Sequence, residues 1–311
     1  MDYYQTKAIK KTSNQIGFLV LISFIIMIAV TYIGIAITQS ADAIVLWSGI
    51  TSLVSMFIVG VIFIKATDSK FNELIPLKKV KKGNFVPLVL IATAVSLISN
   101  YMADILLNNL SLIGIKTKYP PSFEAADNSP LEALFTILSV AIIPPLAEEF
   151  LFRGIILNKL KPFGINFAIF TSSLLFGLMH GNLVQTPFAF VVGMAFAYVT
   201  VKSGSILPSI ISHFLINFSS VMVSMYSDSQ LDDNIATIVY ISFSLIVIIG
   251  GIVSAFLLSK HKGFFNIYPN VQFKFGSTLR ESLTAVGMIL SIIALTLELI
   301  ASSELWGLSF I

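Results

Sequence analysis

Residues 17–38 read GFLVLISFIIMIAVTYIGIAIT, an apolar run without a single charged side chain. A helix needs about 20 mostly apolar residues to cross the hydrocarbon core of a bilayer, so this run predicts a membrane-spanning helix. The run follows Lys7, Lys10 and Lys11 and is too long for the apolar core of a secretory signal. We therefore expect a retained anchor and not a cleaved leader.

The rest of the chain repeats this pattern. Of its residues 56% are hydrophobic and 11% charged, whereas a soluble domain has about 25% charged residues. The apolar segments predict an all-α, polytopic transmembrane helical bundle of about nine spans, or eight if the short 184–201 segment is re-entrant. The predicted spans are 17–38, 43–64, 86–107, 132–158, 164–181, 184–201, 206–226, 235–259 and 282–302.

Charge orients the predicted bundle. With the N-terminus inside and nine alternating spans, 17 of the 19 Lys and Arg residues fall in inside segments, and only Lys116 and Lys118 fall outside. This asymmetry predicts a multi-pass protein of the cell membrane with a cytoplasmic N-terminus. An eight-span chain would place the basic 260–280 segment outside, which counts against it. The basic inside loop 65–85 is expected to lie against anionic headgroups. The lipid bilayer is thus an expected partner and nucleic acid is not.

The sequence PPLAEEFLFR at 144–153 places two carboxylates in an apolar helix. A charged side chain at the centre of a membrane helix costs about 2.5–3.5 kcal/mol on insertion scales. Glu149 and Arg153 are four residues apart and can pair on one helix face. Glu148 points about 100° away, which leaves it free to act as a general base. The alternative is two glutamates near the membrane interface, one of them paired and the other snorkelling.

Two later predicted spans carry further polar side chains. His180 ends the fifth, and His213 and Asn217 share a face of the seventh because they are four residues apart. Imidazole and carboxamide N–H groups can both donate to one oxyanion, although polar packing between helices would also explain them. The remaining polar residues are interpreted as interfacial, packing or solvated loop residues: Asn100, Asp104, Glu298 and His261.

Apolar helices bring such polar groups together, because each is less costly against the others than against lipid. A carboxylate, two imidazoles and a carboxamide suffice for hydrolysis by an activated water. One difficulty is depth. At roughly 1.5 Å per residue, the nine-span topology puts His213 about 10–14 Å from the inside surface and His180 about 26 Å from it.

At these residues the chain resembles the CAAX prenyl protease and bacteriocin-processing (CPBP, or Abi) family of intramembrane proteases. The resemblance covers about residues 130–226, the expected catalytic core. It separates the N-terminal transmembrane helices and their basic loop (1–129) from the C-terminal transmembrane helices (227–311). The three motifs that carry it are Glu148-Glu149-Phe-Leu-Phe-Arg153, Phe176-x-x-x-His180 and His213-x-x-x-Asn217.

The resemblance implies a membrane endopeptidase that hydrolyses a peptide or protein at the membrane. Glu148 would be the general base that activates the attacking water, and His180 would help to hold that water. His213 and Asn217 would stabilise the tetrahedral oxyanion. Glu149 and Arg153 would be supporting residues that fix the helix on which Glu148 lies.

Members of this family are often labelled metalloproteases. Glu148, His180 and His213 could ligate Zn²⁺, but the chain has no His-Glu-x-x-His element. Glu148 as a ligand would also leave the base to another group. We therefore expect no metal cofactor, with zinc as the alternative.

Two functions from other classes stay open. One is a non-catalytic bacteriocin immunity or partner-binding membrane protein, which would not require all four catalytic-type residues. The other is a transporter, although no matching pair of broken helices is visible in two halves of the chain. For the protease, the substrate could be a prenylated CAAX protein, a leader peptide, a quorum-sensing precursor or a bacteriocin.

Overall fold

A computed structural model describes residues 2–38, 41–112, 130–227, 233–267 and 272–302. The described residues are helical apart from turns and one isolated bridge between Leu77 and Ser205, so the all-α prediction is confirmed. The helices are α1 (Tyr3–Thr38), α2 (41–66), α3 (Phe71–Leu74), α4 (Phe85–Leu112), α5 (Pro130–Phe163), α6 (Ile165–Met179), α7 (Gln185–Ser203), α8 (Leu207–Ser227), α9 (Asp233–Ser259), α10 (Phe275–Leu283) and α11 (Val286–Ala301).

Seven of the described helices are long and apolar enough to cross a membrane, or eight if the bent pair α10 and α11 counts as one span. Each of the nine predicted segments contains a helix. The segment suspected of being too short, 184–201, forms the 19-residue helix α7. The shorter one is α6, with 15 residues. The last predicted span also begins later than expected, because the chain bends by 79° between α10 and α11.

The N-terminal and C-terminal helices pack against each other. A Cβ atom on Gly17 of α1 would come within 2.1 Å of the backbone of Gly287 in α11, so the two helices cross at backbone contact. The Gly287 N–H donates to Asn14 Oδ1 (2.8 Å) at this crossing. Small residues with a polar contact are a common way for membrane helices to associate. The crossing brings α11 alongside α6.

The basic loop after α2 packs partly into the protein, which the prediction of a headgroup contact did not include. Ile75 is buried, and the Pro76 carbonyl accepts a hydrogen bond from the Ile206 N–H (2.9 Å). Ser205 and Ile206, in the turn between α7 and α8, are buried beneath this segment. The turn between α7 and α8 is therefore covered by this segment and is not a free surface turn.

Lysines from several predicted inside segments meet on one face of the bundle. Lys11 of α1 interacts electrostatically with Lys159 near the end of α5, and Lys78 of the basic loop does so with Lys161. Lys202 at the end of α7 donates to the Asn266 carbonyl in the turn after α9. These five lysines define the lysine face. Arg153, in contrast, is buried in the core and does not contribute to the charge of this face.

Candidate active site

The geometry of α5 starts from its two adjacent prolines. Pro144 and Pro145 have no N–H, so carbonyls four and five residues earlier lose their usual donors. The chain widens into π-helical turns over Ile137–Ile142, a form that is frequent at functional sites. Two side chains from other helices satisfy freed carbonyls: Ser48 Oγ donates to Ser139 O (3.1 Å) and Asn217 Nδ2 donates to Val140 O (3.0 Å).

Asn217 is therefore held by the Val140 carbonyl, which lacks its helical donor because of the prolines. Because a carbonyl can only accept, the Asn217 atom that faces Val140 must be the amide nitrogen. One of the two amide hydrogens is used in this contact, and the other stays available. The contact holds α8 against α5 at the level of the predicted site.

The ion pair predicted between Glu149 and Arg153 is present, with Arg153 Nη1 3.1 Å from Glu149 Oε1. Both side chains are buried, with 1% and 0% of their surface exposed. Arg153 Nη1 has no well-aligned hydrogen bond among the described residues, so this contact is mainly electrostatic. Arg153 Nη2 also donates to the Gly193 carbonyl (3.3 Å), which ties α5 to α7.

Two aromatic rings cover the guanidinium. Arg153 Cζ lies 4.1 Å from the centroid of the Phe176 ring and 5.4 Å from that of Phe196, both within the range of a cation–π contact. Gly193 lies close to the first ring, because a Cβ there would come within 3.2 Å of Phe176 Cδ1. The motif Phe176-x-x-x-His180 gave no role to the Phe176 ring. No sequence pattern predicted a role for Phe196 or Gly193.

His213 lies between the two glutamates. Its Nδ1 is 3.0 Å from Glu149 Oε1, and its Nε2 is 3.8 Å from Glu148 Oε2. A carboxylate accepts hydrogen bonds, so Nδ1 carries the hydrogen. The other ring nitrogen, Nε2, then faces Glu148. Glu149 thus has two partners, Arg153 and His213, where the sequence predicted only one.

His180 follows the last residue of α6. Its Nδ1 is 2.9 Å from the Phe176 carbonyl, which again assigns the hydrogen to Nδ1 and leaves Nε2 as an acceptor. The next residue, Gly181, has φ +64°, a left-handed conformation that glycine adopts without strain. The Gly181 carbonyl accepts from Ser302 Oγ (2.7 Å). The end of α11, outside the predicted catalytic core, therefore fixes the turn that follows His180.

The four predicted catalytic residues line one cavity of about 330 Å³. Glu148 faces this cavity with 14% of its side chain exposed, whereas the side chain of its neighbour Glu149 is fully buried. Glu148 Oε2 has no hydrogen-bond partner among the residues that the structure describes. This oxygen is itself buried and lies 3.8 Å from His213 Nε2, so a water or a substrate group reaches only the exposed part of the Glu148 side chain.

Three further polar residues line the cavity: Asn100, Gln185 and Ser220. Asn100 was interpreted as a packing or interfacial residue, and it does hydrogen-bond to Tyr240 of α9. The sequence feature that could have indicated this position is its four-residue spacing from Asp104. The side chain of Asp104 lies outside the described part of the structure. Glu298 packs beside Gly181, and His261 is exposed in the turn after α9, as predicted for a loop histidine.

A zinc ion at this cavity would have to be held by Glu148, His180 and His213. The donor types suit zinc, because both ring Nε2 atoms are free and both Nδ1–H groups are held by acceptors, as is usual for zinc ligands. The spacing does not fit. Among the described residues, no group of three His, Cys, Asp or Glu side chains is arranged to hold a metal ion.

The fold and the cavity define a multi-pass helical membrane protein, and comparisons with known proteins refine that class. Residues 130–219 match the family model of type II CAAX prenyl endopeptidase Rce1-like proteins. This match confirms the resemblance predicted from the motifs, includes all six predicted site residues and supports a membrane protease. It covers less than a third of the chain.

Among curated proteins, an uncharacterised 24.3 kDa protein of Escherichia coli is 33% identical over 94 residues. That stretch is 28% of this chain and 43% of the E. coli protein, so the chain covers less than half of this relative. No solved structure matches the chain.

Proposed function

We propose that this protein is an intramembrane endopeptidase that hydrolyses a peptide or protein segment at the membrane with a water activated by Glu148. The observation that carries the proposal is the cavity, because Glu148, His180, His213 and Asn217 line it together. These residues come from three helices. Polar groups at this depth are costly and are retained mainly at functional sites.

In the proposed first step, Glu148 accepts a proton from water while the water oxygen bonds to the peptide carbonyl carbon. The acceptor is the carboxylate of Glu148, which lines the cavity and has 14% of its side chain exposed. His180 Nε2 accepts the second hydrogen of the water and orients it. Carboxylate bases of this kind contribute roughly 10²–10⁴-fold to a rate.

The tetrahedral oxyanion is stabilised by two donors on one face of α8. One is the Asn217 N–H that is not used by Val140. The other is His213 Nε2, which donates only when the ring is protonated, because Glu149 already holds Nδ1–H.

Collapse of the intermediate re-forms the carbonyl and breaks the C–N bond. The proton on Glu148 passes to the leaving nitrogen, so the products are a carboxylic acid and an amine. Glu148 returns to its charged form for the next water. Glu149 and Arg153 take no proton in this scheme, and they hold His213 and α5 in place.

Asn217→Ala should lower kcat by about 10²–10³-fold, which is the usual loss for one oxyanion donor. Because His213 and Asn217 share a helix face, the sequence predicts a similar loss of kcat for His213→Ala. The buried contact with Glu149 now predicts a second effect, a loss of thermal stability, because one partner of a buried carboxylate disappears. Steady-state kinetics and melting curves of both purified variants measure the two effects. A His213→Ala variant that melts at the same temperature as the parent protein would contradict the structural role of His213.

Purified protein tested against membrane-associated peptides, with its metal content measured, is the experiment for the proposed function. We expect peptide cleavage that persists in a metal-free preparation and under chelators. Zinc at one ion per chain, lost together with activity in His180→Ala and in His213→Ala, would instead establish a metal-dependent reaction. A biological effect that survives in Glu148→Gln would favour the non-catalytic immunity or partner-binding role.

A further inference from the structure

The cavity has a closed end and an open end. Residues 149–157 of α5 are all buried, and Leu151, Phe152 and Ile155 have no exposed surface. They fill the space between Glu148 and the lysines at the end of α5. Along α5, packed and buried side chains therefore separate Glu148 from the lysine face.

The other lining residues lie progressively farther from the lysine face. Asn100 is about 22 Å along α4 from Phe85 and Gln185 is about 26 Å along α7 from Lys202, at roughly 1.5 Å per residue. Ser220, two turns beyond His213 on α8, is exposed. The cavity thus runs from Glu148 towards the side of the bundle opposite the lysines.

Basic residues mark the cytoplasmic side of a membrane protein. From this rule and the direction of the cavity, we infer that the site takes its substrate from the non-cytoplasmic side of the membrane. That the bound molecule is a substrate rests on the proposed function. The direction of access, however, depends only on the lysine face and on the cavity.

The lining indicates which peptides fit. Apolar side chains and the neutral amides of Asn100, Gln185 and Asn217 surround the site, and Glu148 is its only acidic lining residue in the described part of the chain. Amide groups can pair with the N–H and C=O of an unwound peptide, which would be costly to leave unpaired at membrane depth. The expected substrate is an uncharged, extended segment on the outer side: an exported peptide or the outer flank of a membrane protein. A prenylated C-terminus in the cytoplasm would face the closed end.

Single cysteines test this, because the chain contains none of its own. Full-length Ser220→Cys and Gln185→Cys report on the cavity, and Lys81→Cys reports on the basic loop, where it is exposed. A charged, membrane-impermeant maleimide is added to intact cells and to inside-out vesicles. We expect both cavity cysteines to react in intact cells and Lys81→Cys to react only in inside-out vesicles.

Cavity cysteines that react only in inside-out vesicles would overturn the inference, as would a Lys81→Cys that reacts in intact cells. So would cavity cysteines that react from neither side but react fully after denaturation. Adding Glu148→Gln should leave every labelling pattern unchanged, because labelling needs no hydrolysis. The expected labelling without any peptide cleavage would therefore refute the proposed function and leave the direction of access standing.

Discussion

Glu148→Gln should reduce peptide cleavage to background without reducing the amount of folded protein. Glutamine keeps the shape of the side chain but cannot accept a proton from water, and a general base contributes roughly 10²–10⁴-fold. Folding should be unaffected because Glu148 faces the cavity and its Oε2 has no hydrogen-bond partner in the described part of the chain. Cleavage rates and melting temperatures of the purified protein measure the two halves of the prediction.

The adjacent glutamate provides a matched comparison. Glu149→Gln should lose both activity and stability, because Glu149 is fully buried and contacts Arg153 and His213. Glu73→Gln, on an exposed side chain in the basic loop, should change neither. Substantial turnover in Glu148→Gln, or equal melting temperatures for Glu148→Gln and Glu149→Gln, would contradict the division of tasks between the two carboxylates.

Arg153→Ala should strongly reduce the yield of folded protein. Removing one partner of a buried ion pair leaves an uncompensated charge and costs about 3–5 kcal/mol. That is a large share of the roughly 5–15 kcal/mol that stabilises a typical protein. The variant also loses the bond to Gly193 and the contacts with Phe176 and Phe196. The fraction of monodisperse protein and its melting temperature in detergent measure the loss.

An exposed arginine serves as the control. Arg280→Ala removes a side chain that is 74% exposed, and exposed pairs contribute at most about 1 kcal/mol. The double variant Glu149→Gln with Arg153→Met removes both buried charges, so it should regain folded protein relative to Arg153→Ala while remaining inactive. Normal abundance and melting of Arg153→Ala would refute the proposal that this pair stabilises the active-site helix.

The sequence alone determined the membrane class and the helical segments, and it identified the polar residues that are candidates for the site. Apolar runs such as 17–38 are set by the thickness of the bilayer, so length and composition identify them without a structure. The contact between Glu149 and Arg153 was predictable because both residues lie one turn apart on one helix. The costs of burying Glu148, His180, His213 and Asn217 in lipid likewise identified them as candidates, and the motifs they form identified the family resemblance.

Only the tertiary structure decided how those residues are arranged. The chain contains 26 Phe, and no pattern in it selects Phe176 and Phe196 as the rings that cover Arg153. The buried turn at Ser205 is held by a loop more than a hundred residues earlier in the chain. The orientation of His213 depends on Glu149 and the anchoring of Asn217 depends on Val140, both on another helix. The local sequence shows which buried polar groups are costly. Long-range packing determines which partner offsets the cost of each one.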